Sequence, residues 1–139
     1  MRLLLDNNIL FSLFNHKSTS SYLFSSIRAE FLAPEYIKSE LEEHREECLI
    51  KSKLSEQQFE MREKEIEESI KFLELAEYKK FLKKALNSIP QDSDDSPYIA
   101  AALSTKSAIW SDDFHLKQQS LVKVFTTSEL VKLFLEDKV

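Results

Sequence analysis

The chain predicts an α/β fold: a central parallel sheet of four to five strands, covered by helices on both faces to make three layers. Short apolar runs carry that expectation. Met1 to Leu5 (Arg2 excepted), Phe31-Leu32-Ala33 and Ala108 to Ser111 have strand length and little alternation, as strands buried on both faces do. Stretches with helical apolar spacing lie between them, and that alternation is the signature of a parallel sheet with crossover helices. A valine-containing run, Leu121 to Phe125, adds a fourth strand.

From Asn7 a helix begins, with Ile9, Leu10, Leu13 and Phe14 on one face. A Ser/Thr-rich break at Lys17 to Ser21 separates it from a short helix near Tyr22 to Arg28. Pro34 suits the first turn of the next helix, where its missing N–H costs nothing. That helix groups Ile37, Leu41, His44 and Cys48 in a narrow arc, with Glu40 roughly 60° away at its border. Ser55-Glu-Gln-Gln58 has the pattern of a capping box. Two stripes follow, Phe59-Ile66-Ile70-Leu73 and Tyr78-Leu82-Ala85-Ile89, and they predict a helical hairpin inserted at about 50–89. Ile89-Pro90 ends it. Ser96-Pro97 opens an alanine-rich helix able to lie close on a sheet, and Thr126-Thr-Ser-Glu129 caps a last one.

At 139 residues, 42% of them apolar, the chain is expected to form one domain over 1–139 with a real core. A single cysteine, Cys48, can form no internal disulfide, which with the lack of a signal-like N-terminus or membrane-length apolar run suits the cytoplasm. Glycine is absent, which excludes glycine-rich phosphate loops and the dinucleotide fingerprint. The net charge of −5 argues against broad electrostatic attraction to nucleic acid, though not against nucleic acid as a substrate drawn in by bound cations.

The chemistry concentrates in acids. Asp6 ends the first strand, Asp94-Asp95 precede the alanine-rich helix, Asp112-Asp113 follow the third strand, and Glu40 lies early in a helix. In an open parallel sheet, ligands bind beyond the carboxyl ends of the strands. Acids gathered there repel unless a cation neutralises them, and hard oxygen donors suit Mg²⁺ or Mn²⁺. The plainer role for Asp6 and Asp95 is helix capping, for Glu40 a solvated surface, and for Asp112-Asp113 a turn. Capping and metal binding are compatible, since a helix N-terminus favours an ionised carboxylate.

Four pieces, Leu-Leu-Asp6-Asn-Asn-Ile-Leu, Ser39-Glu40-Leu41, Asp95-Ser-Pro-Tyr-Ile-Ala-Ala-Ala-Leu103 and Ile-Trp-Ser111-Asp-Asp113, resemble in order the motifs of the PIN domain family. The resemblance spans essentially the whole chain. It implies a three-layer α/β/α PIN-like fold and a Mg²⁺- or Mn²⁺-dependent nuclease acting on RNA. It selects Asp95 over Asp94 and Asp113 over Asp112, giving Asp6, Glu40, Asp95 and Asp113 as catalytic metal ligands, with Asn8 and Ser111 in support. Asn7 departs from the Thr or Ser usual after the first aspartate. Small members are often toxins of VapC type held inactive by an antitoxin, so an antitoxin partner is an expectation here, as is a homodimer through the 55–89 stripes (Phe59, Ile66, Phe81) or the first helices.

Other chemistries fit less well. His16, His44 and His115 lack zinc-ligand spacing, Cys48 lies on a core face, and no glycine-flanked nucleophile turn exists. A receiver-like phosphoacceptor would need a lysine ending its last strand, whereas Lys123 falls inside the run. A small-molecule phosphohydrolase would place an acid where Asn8 stands. The alternative within the family is a PIN-like module that binds RNA or protein without cutting.

Overall fold

The computed structural model describes residues 1–139. Five strands, β1 (Arg2–Leu5), β2 (Glu30–Pro34), β3 (Ile70–Leu73), β4 (Ala108–Trp110) and β5 (Val124–Phe125), form one all-parallel sheet in the order β3-β2-β1-β4-β5. Helices flank it, as the alternation of elements predicts. Leu3, Leu4 and Leu5 of the central strand are wholly buried, which is why that run is apolar at every position rather than alternating.

β1 is the pivot of the topology. From it the chain steps to β2 and β3 on one side, and β4 and β5 lie on the other. Such a reversal leaves a crevice at the carboxyl ends of the two strands flanking it. Leu5 is paired with Trp110, so the residues that follow, Asp6 and Ser111, emerge side by side at that crevice.

α1 (Asn7–Ser12) and α2 (Thr19–Ser26) fill the first connection. α3 (Tyr36–Glu43), α4 (Arg45–Ser52) and α5 (Glu56–Ser69) lead from β2 to β3. α6 (Leu75–Tyr78) and α7 (Leu82–Ser88), with short 3-10 turns, precede α8 (Ser96–Thr105). α9 (Phe114–Lys117) and α10 (Thr127–Leu135) complete the chain. The boxes at Ser55/Gln58 and Thr126/Glu129 both form. With no glycine available, the left-handed positions ending α4 and α8 fall to Lys53 (φ 60°) and Lys106 (φ 55°). The alanines of α8 let it lie against β1, β2 and β4, with Ala100, Ala101 and Ala102 buried.

Four local expectations need correction. The inserted helical hairpin does not form, because Ile70–Leu73 is an edge strand paired in parallel with β2. Ile70 and Leu73 continue the spacing of Phe59 and Ile66 because all four face the same core. Pairing with β2 then satisfies a backbone that spacing alone cannot assign. Pro34 closes β2 instead of opening a helix. The helix expected to run through Cys48 breaks at His44 (φ −106°, ψ 13°) into α3 and α4. The last strand keeps only Val124–Phe125.

The 55–89 stripe is not spare either. Phe59 and Ile66 are buried inside the chain, with Phe59 stacked on Phe14 at 4.3 Å between ring centroids. Those two side chains are therefore not offered to a partner. The buried apolar residues form one contiguous cluster of 33. No helix is long and apolar enough to cross a membrane.

Candidate functional site

Asp6 is the anchor of the site and is only 2% exposed. Its Oδ1 accepts the Ile9 N–H at 2.9 Å, capping α1, and its Oδ2 accepts the Ser111 hydroxyl in a short hydrogen bond. The capping role and the cluster role thus coexist. Burial, with repulsion from Asp95 and Asp113, raises the Asp6 carboxyl from its ordinary 3.8 to about 7, although the bonds from Ser111 and Ile9 pull the other way.

Ser111, fully buried, joins two acids. Its Oγ donates to Asp6 and accepts the Asp113 N–H at 3.0 Å. Asp113 caps α9 through the His115 N–H at 2.9 Å. Its neighbour Asp112 points elsewhere, accepting both the N–H and the hydroxyl of Thr127 at 2.7 Å and tying β4 to the start of α10.

Asp95 stands at the N-terminal boundary of α8 but makes no capping hydrogen bond, so the plainer role for this acid is not realised. Half-burial and repulsion from Asp113, Asp92, Asp94 and Glu40 raise its carboxyl to about 6. Asp94 is exposed. Asp6, Asp95 and Asp113 are therefore charge neighbours, and Glu40 joins them through Asp95. Asn8, expected to support the acids, has an exposed side chain with no bond to Asp6, and its own N–H donates to Asn7 Oδ1.

Three features were missed in the sequence. Glu40, Glu43 and His44 present ligand atoms all within 4.8 Å of one another, a tighter set than the three aspartates form. The signal is the i, i+3, i+4 spacing at the end of α3, hidden because His44 shares the arc of Ile37, Leu41 and Cys48. His115 Nδ1 lies 2.8 Å from Asp92 Oδ2, a pair set at the rim next to Asp113. Third is Tyr98, in the first turn of α8. It is wholly buried, yet its hydroxyl is the one buried side-chain polar atom with no hydrogen-bond partner. Burial, then the negative charge of Glu40 and Asp6, holds its phenol far above the usual range, and Tyr36 beside it is raised by burial and Glu40. The two rings meet edge to face at 5.9 Å.

That orphaned hydroxyl tests whether a divalent cation fits. A buried phenol without a partner costs roughly 1–3 kcal/mol. Three carboxylates raised or crowded by their neighbours around it need a counter-charge. An ion with its water shell answers both needs, and the donors are the hard oxygens that Mg²⁺ and Mn²⁺ prefer. The residues fit the group.

Fold and site together define an α/β/α domain whose acidic crevice lies at the switch point of a parallel sheet. The model of the PIN domain family matches residues 4–132, so the chain belongs to that family. Among solved structures it is similar to a chain in the crystal structure of VapBC2 from Rickettsia felis bound to a DNA fragment from their promoter. The TM-score is 0.67 at 13% identity, over 91% of this chain and 98% of that one, a likeness of fold. A search of curated proteins gives no match.

Proposed function

We propose that this chain is a divalent-metal-dependent endoribonuclease, acting as the toxin of a toxin-antitoxin pair. One observation carries the reading: Asp6 feels the charge of Asp95 and Asp113, Asp95 feels that of Glu40, and the unpartnered buried hydroxyl of Tyr98 lies in the field of Glu40, Asp6 and Asp95. Membership in the PIN domain family supports nuclease chemistry, and the fold-level likeness to a VapBC pair supports an antitoxin partner.

Asp6, Asp95, Asp113 and Glu40 would hold Mg²⁺ or Mn²⁺. The ion, when bound, acidifies the attacking water and offsets charge on the phosphoryl oxygens. The chain's own residues do the positioning. Ser111 and the Ile9 N–H fix both oxygens of Asp6 in one rotamer, so no side-chain entropy is lost when it binds. Ser111 also holds the backbone of Asp113, coupling the second acid to the first. Tyr98 offers a donor to a water held inside the cluster, and its raised phenol keeps that proton.

Purified protein is expected to cut single-stranded RNA with Mn²⁺ or Mg²⁺ and to stop in EDTA. Asp6→Asn, Asp95→Asn and Asp113→Asn each lower the rate by at least about a hundredfold if the ligand set supplies 3 kcal/mol or more of transition-state stabilisation. Cutting that EDTA leaves undiminished defeats the metal mechanism. Metal binding and RNA binding without any cutting would instead identify a non-cleaving module.

A further inference from the structure

Beside the acids lies a second concavity of about 450 Å³, within the size range of small-molecule sites. It is walled by α1, the turn that follows it, and α4. Only Phe11 and Cys48 among its eleven lining residues are apolar. It adjoins the acidic crevice at two points. Asn7 and Asn8 line it and directly follow Asp6, and His44 lines it while lying within 4.8 Å of Glu40 and Glu43 at their ligand atoms.

We infer that this cavity is a subsite for a nucleobase of the RNA strand, next to the scissile phosphate. The inference rests on the ribonuclease reading. The lining chemistry selects the ligand class. Lys51 is held by Glu47 at 2.7 Å, and the same carboxylate stands 3.7 Å from His44 Nδ1. The wall's one lysine and one carboxylate offset each other, so the cavity carries no net charge to select a phosphate or a metal ion. What remains is neutral hydrogen-bonding capacity. The Oδ1 atoms of Asn7 and Asn15 accept backbone N–H groups at 2.9 and 3.0 Å, which leaves both amide NH₂ groups to donate, and the whole Asn8 amide is uncommitted. Paired donors and acceptors of this kind match a base edge. Phe11 and His44 each bring an aromatic ring to the wall, 5.8 Å apart and tilted by 54°, and either ring alone is the kind of surface on which a splayed base stacks. A neutral, planar, edge-polar ligand fits such a wall, and single-stranded RNA carries one per residue.

The test uses full-length Asp6→Asn protein, which should not cut, and fluorescein-labelled hexamers of rA, rU, rC and rG beside a hexamer of abasic residues. By anisotropy, at least one homopolymer is expected to bind about tenfold tighter than the abasic strand, the size of one stacked and hydrogen-bonded base. Adding Asn15→Ala, an exposed position, should remove about fivefold of that preference and leave affinity for the abasic strand unchanged. Equal binding of all five strands, or indifference to Asn15→Ala, overturns the subsite. Wild-type protein with Mn²⁺ separates the two readings. Strands cut without base preference defeat the subsite and keep the nuclease. A base-dependent affinity with no strand cut, even at millimolar Mn²⁺, defeats the nuclease and keeps the subsite.

Discussion

Asp6→Asn in metal-free protein should reverse the usual expectation that a buried polar substitution weakens a fold. The carboxyl of Asp6 titrates near 7 in the folded chain and near its ordinary 3.8 when unfolded. Between those values the folded state carries the extra proton, so stability falls as pH rises through the window. Integrating the linkage from pH 5 to pH 8 gives a loss of about 3 kcal/mol from this one group. The asparagine cannot ionise and loses nothing over that range. It still accepts the Ile9 N–H, and its cost is the misdirected bond to Ser111, about 1 kcal/mol and independent of pH. Relative to wild type, the variant should therefore gain about 3 kcal/mol between pH 5 and pH 8, or roughly 10 °C in melting temperature for a domain of this size. Thermal unfolding followed by circular dichroism in EDTA at the two pH values measures it. Comparing the two proteins cancels the titration of the carboxylates that do not couple to Asp6. Parallel melting curves across pH would refute the burial and crowding of Asp6.

If the proposed site holds Mn²⁺ in the folded state alone, added Mn²⁺ should raise the wild-type melting temperature in a concentration-dependent way and leave Asp6→Asn unchanged. Apparent affinity should increase from pH 5 to pH 8, as protons leave Asp95 near 6 and Asp6 near 7; a pH-independent shift would contradict this. Ser111→Ala deletes a bond that lowers the Asp6 carboxyl, so the pH of half-maximal Mn²⁺ binding, read by isothermal titration calorimetry, should move upward. Asp112→Ala, which cuts only the ties to Thr127, should cost about 1 kcal/mol in urea unfolding and leave Mn²⁺ affinity intact, and a lost metal site would reassign the ligands. A homodimer remains the expected assembly, formed through surface other than the buried Phe59 and Ile66. Light scattering should give twice the 16.3 kDa of one chain, and a mass of one chain would exclude it.

Periodicity and punctuation made much of this architecture readable in advance. Leu3-Leu4-Leu5 has the unbroken apolar character expected of a strand covered on both faces, and Ser55 and Thr126 marked helix starts by a hydrogen-bonding rule that needs four residues of context. Asp6 was legible for the same local reason, since a carboxylate at the end of a buried strand requires a partner, and Ser111 supplies one. Ile70–Leu73 was not, because an apolar spacing of three and four fits a helix face and a strand lying under one equally well. Pairing with β2, some forty positions earlier, resolves it. The choice between Asp112 and Asp113 was likewise open to local chemistry, and the structure separates them by the direction each turn gives its side chain. The orphaned Tyr98 hydroxyl, the Glu40–Glu43–His44 group and the cavity beside Asn7 and Asn8 could not be read at all. Each exists because segments distant in sequence are brought against one another, and what a side chain lacks or faces is a property of its neighbours in space.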